Sequence, residues 1–126
     1  MKYCSISEAS AKLNIPESTL RYYEKKGLLP LIERDEAGRR LFSEDQIALL
    51  ETVNCLKNTH MPISGIKQYM DWVVEGENTI EHRHEMMMKH KQAVLAEIAL
   101  MAEALKGIDV KIARYTNRIQ ERNEVK

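Results

Sequence analysis

Near the start of the chain, apolar positions fall at helical spacing in short stretches. Ile6, Ala9 and Leu13 recur three and four residues apart behind Ser5, which predicts a helix over residues 5–13. Asn14 and Ile15 make a turn. Pro16 suits a first helical position, where its missing N–H costs nothing, and a second helix runs through Leu20, Arg21, Tyr22 and Tyr23 to Lys26 before Gly27 stops it. After Pro30 the spacing changes: Leu31–Arg34 and Arg39–Phe42 read as two strands joined by residues 35–38, a small hairpin or wing. Ser43 with Gln46 is a capping box that opens a helix from Glu44 to about Asn58. Met61 and Pro62 interrupt the chain before a further helix carrying Ile66, Tyr69, Met70 and Val73, closed by Gly76.

From Thr79 onward the periodicity is sevenfold. Ile80, Met87, Val94, Met101, Ile108 and Tyr115 recur every seven residues, and His84, Lys91, Ile98, Leu105, Ile112 and Ile119 form a companion series four positions on. A helix reaching Gly107 would extend roughly 42 Å at 1.5 Å per residue, too far for a small head to cover. It therefore calls for a partner helix, with folding back along its own head as the alternative. Gly107, which costs up to about 1 kcal/mol inside a helix, predicts a break before a short terminal helix.

Two short helices joined by a tight turn predict a helix-turn-helix, whose second helix has the width to enter a DNA major groove. The formal net charge of the chain is zero, so a polyanion partner has to be sought in local charge. Residues 1–43 carry eight Lys/Arg against six Asp/Glu, with the excess at Arg21, Lys25, Lys26, Arg39 and Arg40. A length of 126 residues holds one compact domain and an appendage, and it excludes a large enzyme. Cys4 and Cys55, in a chain without an apolar signal segment, fit free thiols in a reducing cytoplasm. No apolar run approaches the roughly 20 residues that span a bilayer, so no membrane partner is expected.

The segment Leu20, Arg21, Tyr22, Tyr23, Glu24 with its Gly27, Leu28, Leu29 exit, the wing at Gly38, Arg39, Arg40, Leu41 and Phe42, and the long terminal helix together resemble the MerR family of transcription regulators. The resemblance implies a homodimer joined through an antiparallel coiled coil, with Ile80, Met87, Val94, Ile98, Met101, Leu105 and Ile108 in the seam. It implies two heads on a pseudo-palindromic operator in double-stranded promoter DNA. Control would come through distortion of that DNA, so that RNA polymerase is reached only indirectly, through the promoter. Ser18, Thr19, Arg21, Tyr22, Tyr23 and Lys25 would face the groove or its phosphates, and Arg40 matches the family's DNA-contacting wing arginine. This chain has Arg39 and Phe42 where tyrosines are common; Phe42 lacks a hydroxyl, and Arg39 is its replacement at the backbone.

Metal-sensing members carry cysteines at both ends of the long helix, and here those regions hold none, so no metal or other cofactor is expected. His82, His84 and His90 lack ligand spacing. The stretch Val53, Asn54, Cys55, Leu56, Lys57, Asn58 and the segment Glu75–Glu81 resemble the NmlR and AdhR branch, which senses aldehydes and other electrophiles through one cysteine at this place. Cys55 is the sensor candidate, against the alternative of a small buried residue in a regulator that answers to another small molecule or protein. An enzyme built on Cys55 lacks any paired cysteine or Cys-His motif, and a pure coiled-coil adaptor leaves the Arg-Tyr-Tyr helix unexplained.

The predicted architecture is thus mainly α. A winged helix-turn-helix head covers residues 1–76, and residues 77–126 form a dimerisation helix with a short tail helix.

Overall fold

In a computed structural model, residues 2–29 and 32–124 of the chain are described. Helix α1 (Ile6–Leu13) starts at Ser5, whose hydroxyl accepts the Glu8 N–H while the Glu8 carboxylate accepts the Ser5 N–H at 2.9 Å. This reciprocal cap pairs two donors that a helix start otherwise leaves open. The bond from the Ser5 N–H holds the Glu8 carboxyl below its ordinary pKa. Asn14 ends α1 in the left-handed conformation, φ 54°, one of the few residue types that adopt it readily. Helix α2 (Glu17–Lys25) then begins one residue later than predicted, with Pro16 as its cap. Gly27, φ 73°, turns the chain away at its end.

In the wing, β2 is Glu33–Arg34, and β3 is Arg40–Ser43, as long as the predicted Arg39–Phe42 strand but one residue further on; Leu31, the expected start of the first strand, lies outside the described residues. An unanticipated strand, β1 (Tyr3–Cys4), pairs antiparallel with β3 and makes it the centre of a three-stranded sheet in the order β1-β3-β2. Cys4 stands opposite Phe42 and is buried, and burial pushes its thiol pKa up. Strand β3 passes directly into helix α3 (Glu44–Asn58) through the predicted Ser43–Gln46 capping box, both bonds at 3.2 Å.

Helix α4 (Ile63–Glu75), a single 3-10 turn (Glu77–Thr79) and helix α5 (Ile80–Glu124) complete the chain. One apolar core unites Leu20 and Tyr23 of α2, Leu28, Phe42 of β3, Leu50, Val53 and Leu56 of α3, and Ile66 and Met70 of α4. The start of α5 contributes Met86 and Met87 to the same core. At the junction of α4 and α5, Thr79 is buried, with its hydroxyl directed at the carbonyls of Trp72 (2.6 Å) and Gly76 (2.7 Å). Arg83 donates from Nε to the Thr79 oxygen at 3.1 Å and from Nη2 to the Gly76 carbonyl at 3.0 Å, and Trp72 stacks on His82 at 5.3 Å. The carbonyls of Trp72 and Gly76, which also accept the N–H groups of Gly76 and Thr79 at 3.0 Å each, thereby gain further partners at the end of α4.

Two compact units result, the first ending at Met87 and the second beginning at Met88. The second is the remainder of α5, and it corrects one expectation: the helix runs through Gly107 to Glu124 with no break and no separate tail helix. A single glycine costs only about 1 kcal/mol and retains access to helical φ and ψ. Strong helix formers precede it, Ala102 to Lys106, and no proline follows, so nothing else terminates the helix. Among the described residues no helix is long and apolar enough to cross a membrane.

Because the Thr79 hydroxyl both gives and receives at this junction, Thr79→Val should lower stability by about 1 kcal/mol, read as a lower urea midpoint for the full chain. A midpoint equal to the wild type would show that the hydroxyl contributes nothing.

Candidate nucleic-acid interface

Positions three apart on a helix share a face. Leu20 and Tyr23 take the inner face of α2, and both are buried. The opposite face therefore carries Ser18, Arg21, Tyr22 and Lys25, at intervals of three, four and seven, and all four are exposed. Thr19 is half-buried at the edge. Arg21 Nη2 donates to Glu17 Oε1 at 3.2 Å, with half of the Arg21 side chain exposed. An exposed pair of this kind contributes little, about 0–1 kcal/mol, and is easily exchanged for another anion. The Lys26 ammonium lies 5.7 Å from the centroid of the Tyr22 ring, adding a cation to the same neighbourhood.

Tyr23 departs from the expected groove-facing position. Only 3% of it is exposed, its hydroxyl donates to Asn54 Oδ1 at 3.4 Å, and burial pushes its pKa up. Its spacing from Leu20 explains this, since the core takes whichever tyrosine shares the leucine's face. Phe42 is likewise wholly buried and forms core where a phosphate contact was in question.

In the wing, the Asp35 carboxylate organises the tip. Its Oδ1 accepts the N–H of Ala37 at 3.0 Å and of Arg39 at 2.9 Å, and Oδ2 accepts Arg39 Nε at 3.1 Å. The Arg39 backbone bond leads in holding the Asp35 carboxyl below its ordinary pKa. Gly38, φ 81°, completes the turn in a conformation that a side chain would strain. Arg39 is 80% exposed along its side chain. Arg40 is far less so: its Nε donates to Glu24 Oε1 of α2 at 2.6 Å. Arg34, which the sequence reading left unassigned, also reaches Glu24, Nη2 to Oε2 at 3.3 Å. No local pattern signals this contact, because Glu24 lies ten residues before Arg34 and meets it only across the folded hairpin.

One head thus brings together hydroxyl, phenol, ammonium and guanidinium donors from α2 and the wing. Such donors match phosphate oxygens and the acceptor edges of bases. Of the expected seam residues, Met87 is packed against the head core, whereas Ile98, Met101, Leu105 and Ile108 are exposed on the second unit with Ile112, Tyr115 and Ile119. Ile80 is exposed and Val94 half-buried. Cys55 is exposed on α3, against the alternative of a small buried residue. Among the described residues no three His, Cys, Asp or Glu side chains gather into a metal-binding group.

Comparison with known proteins points in one direction. The model of the MerR HTH family of regulatory proteins matches residues 4–72. An HTH-type transcriptional regulator of Haemophilus influenzae is 36% identical over 109 residues, covering 86% of this chain and 81% of its own. The HTH-type transcriptional regulator AdhR of Bacillus subtilis is 30% identical over 91 residues, 72% of this chain and 65% of its own. The crystal structure of HiNmlR, a MerR family regulator lacking the sensor domain, bound to promoter DNA, superimposes with a TM-score of 0.84 at 34% identity, covering 92% of each chain. A MerR family regulator of Bacillus thuringiensis gives the same TM-score at 42% identity, over 90% of this chain and 99% of that one.

Proposed function

Since this chain belongs to the MerR family of HTH regulatory proteins, we propose that it binds a pseudo-palindromic operator in promoter DNA as a homodimer and controls transcription by distorting that DNA. The observation that carries this reading is the outward face of α2, where Ser18, Arg21, Tyr22 and Lys25 stand together because Leu20 and Tyr23 are held in the core. Thr19 borders that face, and Arg39 and Arg40 extend it into the wing. The likeness to HiNmlR, whose structure is of a complex with promoter DNA, supports the same assignment. Tyr23 acts in this scheme as the residue that seats the helix. RNA polymerase responds to the altered promoter without touching the regulator.

Division of labour in the proposal follows residues 1–76 for DNA binding and 77–126 for pairing. The exposed heptad residues Ile98, Met101, Leu105 and Ile108 support an antiparallel coiled coil between two copies, with Ile80 and Val94 at its margin and Met87 serving the head. The effector part of the proposal rests on Cys55, whose exposure leaves its sulfur open to electrophiles such as aldehydes in a stress response. Alkylation there would alter the surface of α3. In the competing reading another small molecule or protein is the effector and Cys55 is a bystander.

Arg21→Ala should weaken binding to the promoter duplex by roughly tenfold or more, the worth of one base or phosphate contact from arginine, while sedimentation still shows the wild-type oligomer. Wild-type affinity in a gel-shift titration would remove α2 from the interface. Cys55→Ser should abolish the aldehyde response of a reporter driven by the regulated promoter. Full induction by the variant would leave the competing reading standing.

A further inference from the structure

Arg34 of β2 and Arg40 of β3 are register partners across the wing hairpin. Like charges placed directly opposite each other on antiparallel strands repel and destabilise the pair. Glu24, in the last turn of α2, answers both. Its Oε1 accepts the Nε–H of Arg40 at 2.6 Å, and its Oε2 accepts from Nη2 of Arg34 at 3.3 Å. Arg34 donates as well from Nη1 to the Gly38 carbonyl at 2.9 Å, tying the same guanidinium to the wing turn. Among the described residues, the side-chain hydrogen bonds that join α2 to the wing all run through Glu24.

Two effects of this carboxylate oppose each other. As an anion beside a surface that meets phosphates, it lowers the local potential and so weakens DNA binding. As the acceptor shared by two arginines, it fixes the wing against the recognition helix and holds both guanidinium groups in one orientation. A guanidinium spends a single N–H on the Arg40 bond and carries four further donors, and the trio keeps a net positive charge, so contact with phosphate stays available. Fixing the two long side chains beforehand removes rotamer entropy that binding would otherwise have to overcome.

Building on the promoter-binding reading above, we infer that Glu24 is a positioning residue for DNA recognition, setting the wing on α2 and presenting Arg34 and Arg40 to the duplex as a pair. The orienting effect outweighs the electrostatic one. This makes a counterintuitive prediction, because removing an anion from a DNA-binding surface loosens the complex.

The test is a set of fluorescence-anisotropy titrations over a range of salt concentrations, using a labelled duplex enriched from a random-sequence pool by the wild-type chain. Glu24→Ala should bind roughly tenfold more weakly, on the scale of one arginine contact. Glu24→Gln keeps an oxygen acceptor for the Arg40 Nε–H and should recover most of that loss. On an Arg34→Ala, Arg40→Ala background the further change Glu24→Ala should have no weakening effect, since its partners are gone. Binding by Glu24→Ala that equals or exceeds the wild type, with a steeper salt dependence, would overturn the inference and leave Glu24 as a simple counter-charge. An equal loss on both backgrounds would also overturn it, by assigning Glu24 to folding of the head. A wild-type chain that enriches no duplex at all would overturn the promoter-binding reading itself, an outcome that no Glu24 variant can imitate.

Discussion

The seating of α2 governs what the head can present. Leu20 and Tyr23 lie one turn apart and are drawn into the core with Leu28, Phe42, Leu50 and Ile66. Fully burying a large apolar side chain is worth about 1.5–3 kcal/mol, so rotation of the helix about its axis would forfeit several kcal/mol. The rotational setting is thereby fixed, and Ser18, Arg21, Tyr22 and Lys25 have only the outside to face. Wing geometry follows from the same setting, because Glu24 leaves α2 at the position that meets Arg34 and Arg40. The polar face that α2 presents is therefore a consequence of packing on the opposite side of one short helix.

A second constraint acts on the remainder of α5. From Met88 onward no residue of the helix is buried, yet Ile98, Met101, Leu105, Ile108, Ile112, Tyr115 and Ile119 continue an apolar series along it. Cover for such a series in a second copy of the chain would bury two sets of these side chains. At about 1.5–3 kcal/mol each for full burial, the gain is large enough to exceed an association cost of about 4–15 kcal/mol. Two heads on one rod would then have a set spacing, which is what a two-fold site in DNA requires.

Much of this was legible in the sequence wherever a local rule decides. The Ser5 start of α1, the capping box at Ser43–Gln46, the glycine after α2 and the start of α3 each depend on residues within a turn of one another, and each stands where the pattern put it. What the pattern missed was settled at longer range. Strand β1 is two residues long and exists because β3 offers it an edge, an interaction 38 or more positions away that periodicity does not register. Tyr22 and Tyr23 look alike in the sequence, and only the common face of Leu20 and Tyr23 separates surface from core. Gly107 lies inside an unbroken helix because a lone glycine lowers helical propensity without ending a helix. The role of Glu24 was hidden because its partners, Arg34 and Arg40, lie ten and sixteen residues on and meet it only once the hairpin has formed.

The claim on which the functional account turns is that two heads act together on one duplex. Sedimentation velocity of the chain mixed with a labelled promoter duplex, read at the wavelengths of both protein and label, measures this directly. The account predicts a complex of two chains per duplex with no stable one-chain species at equivalence. A complex of one chain per duplex, or a duplex that sediments free of protein, would contradict it.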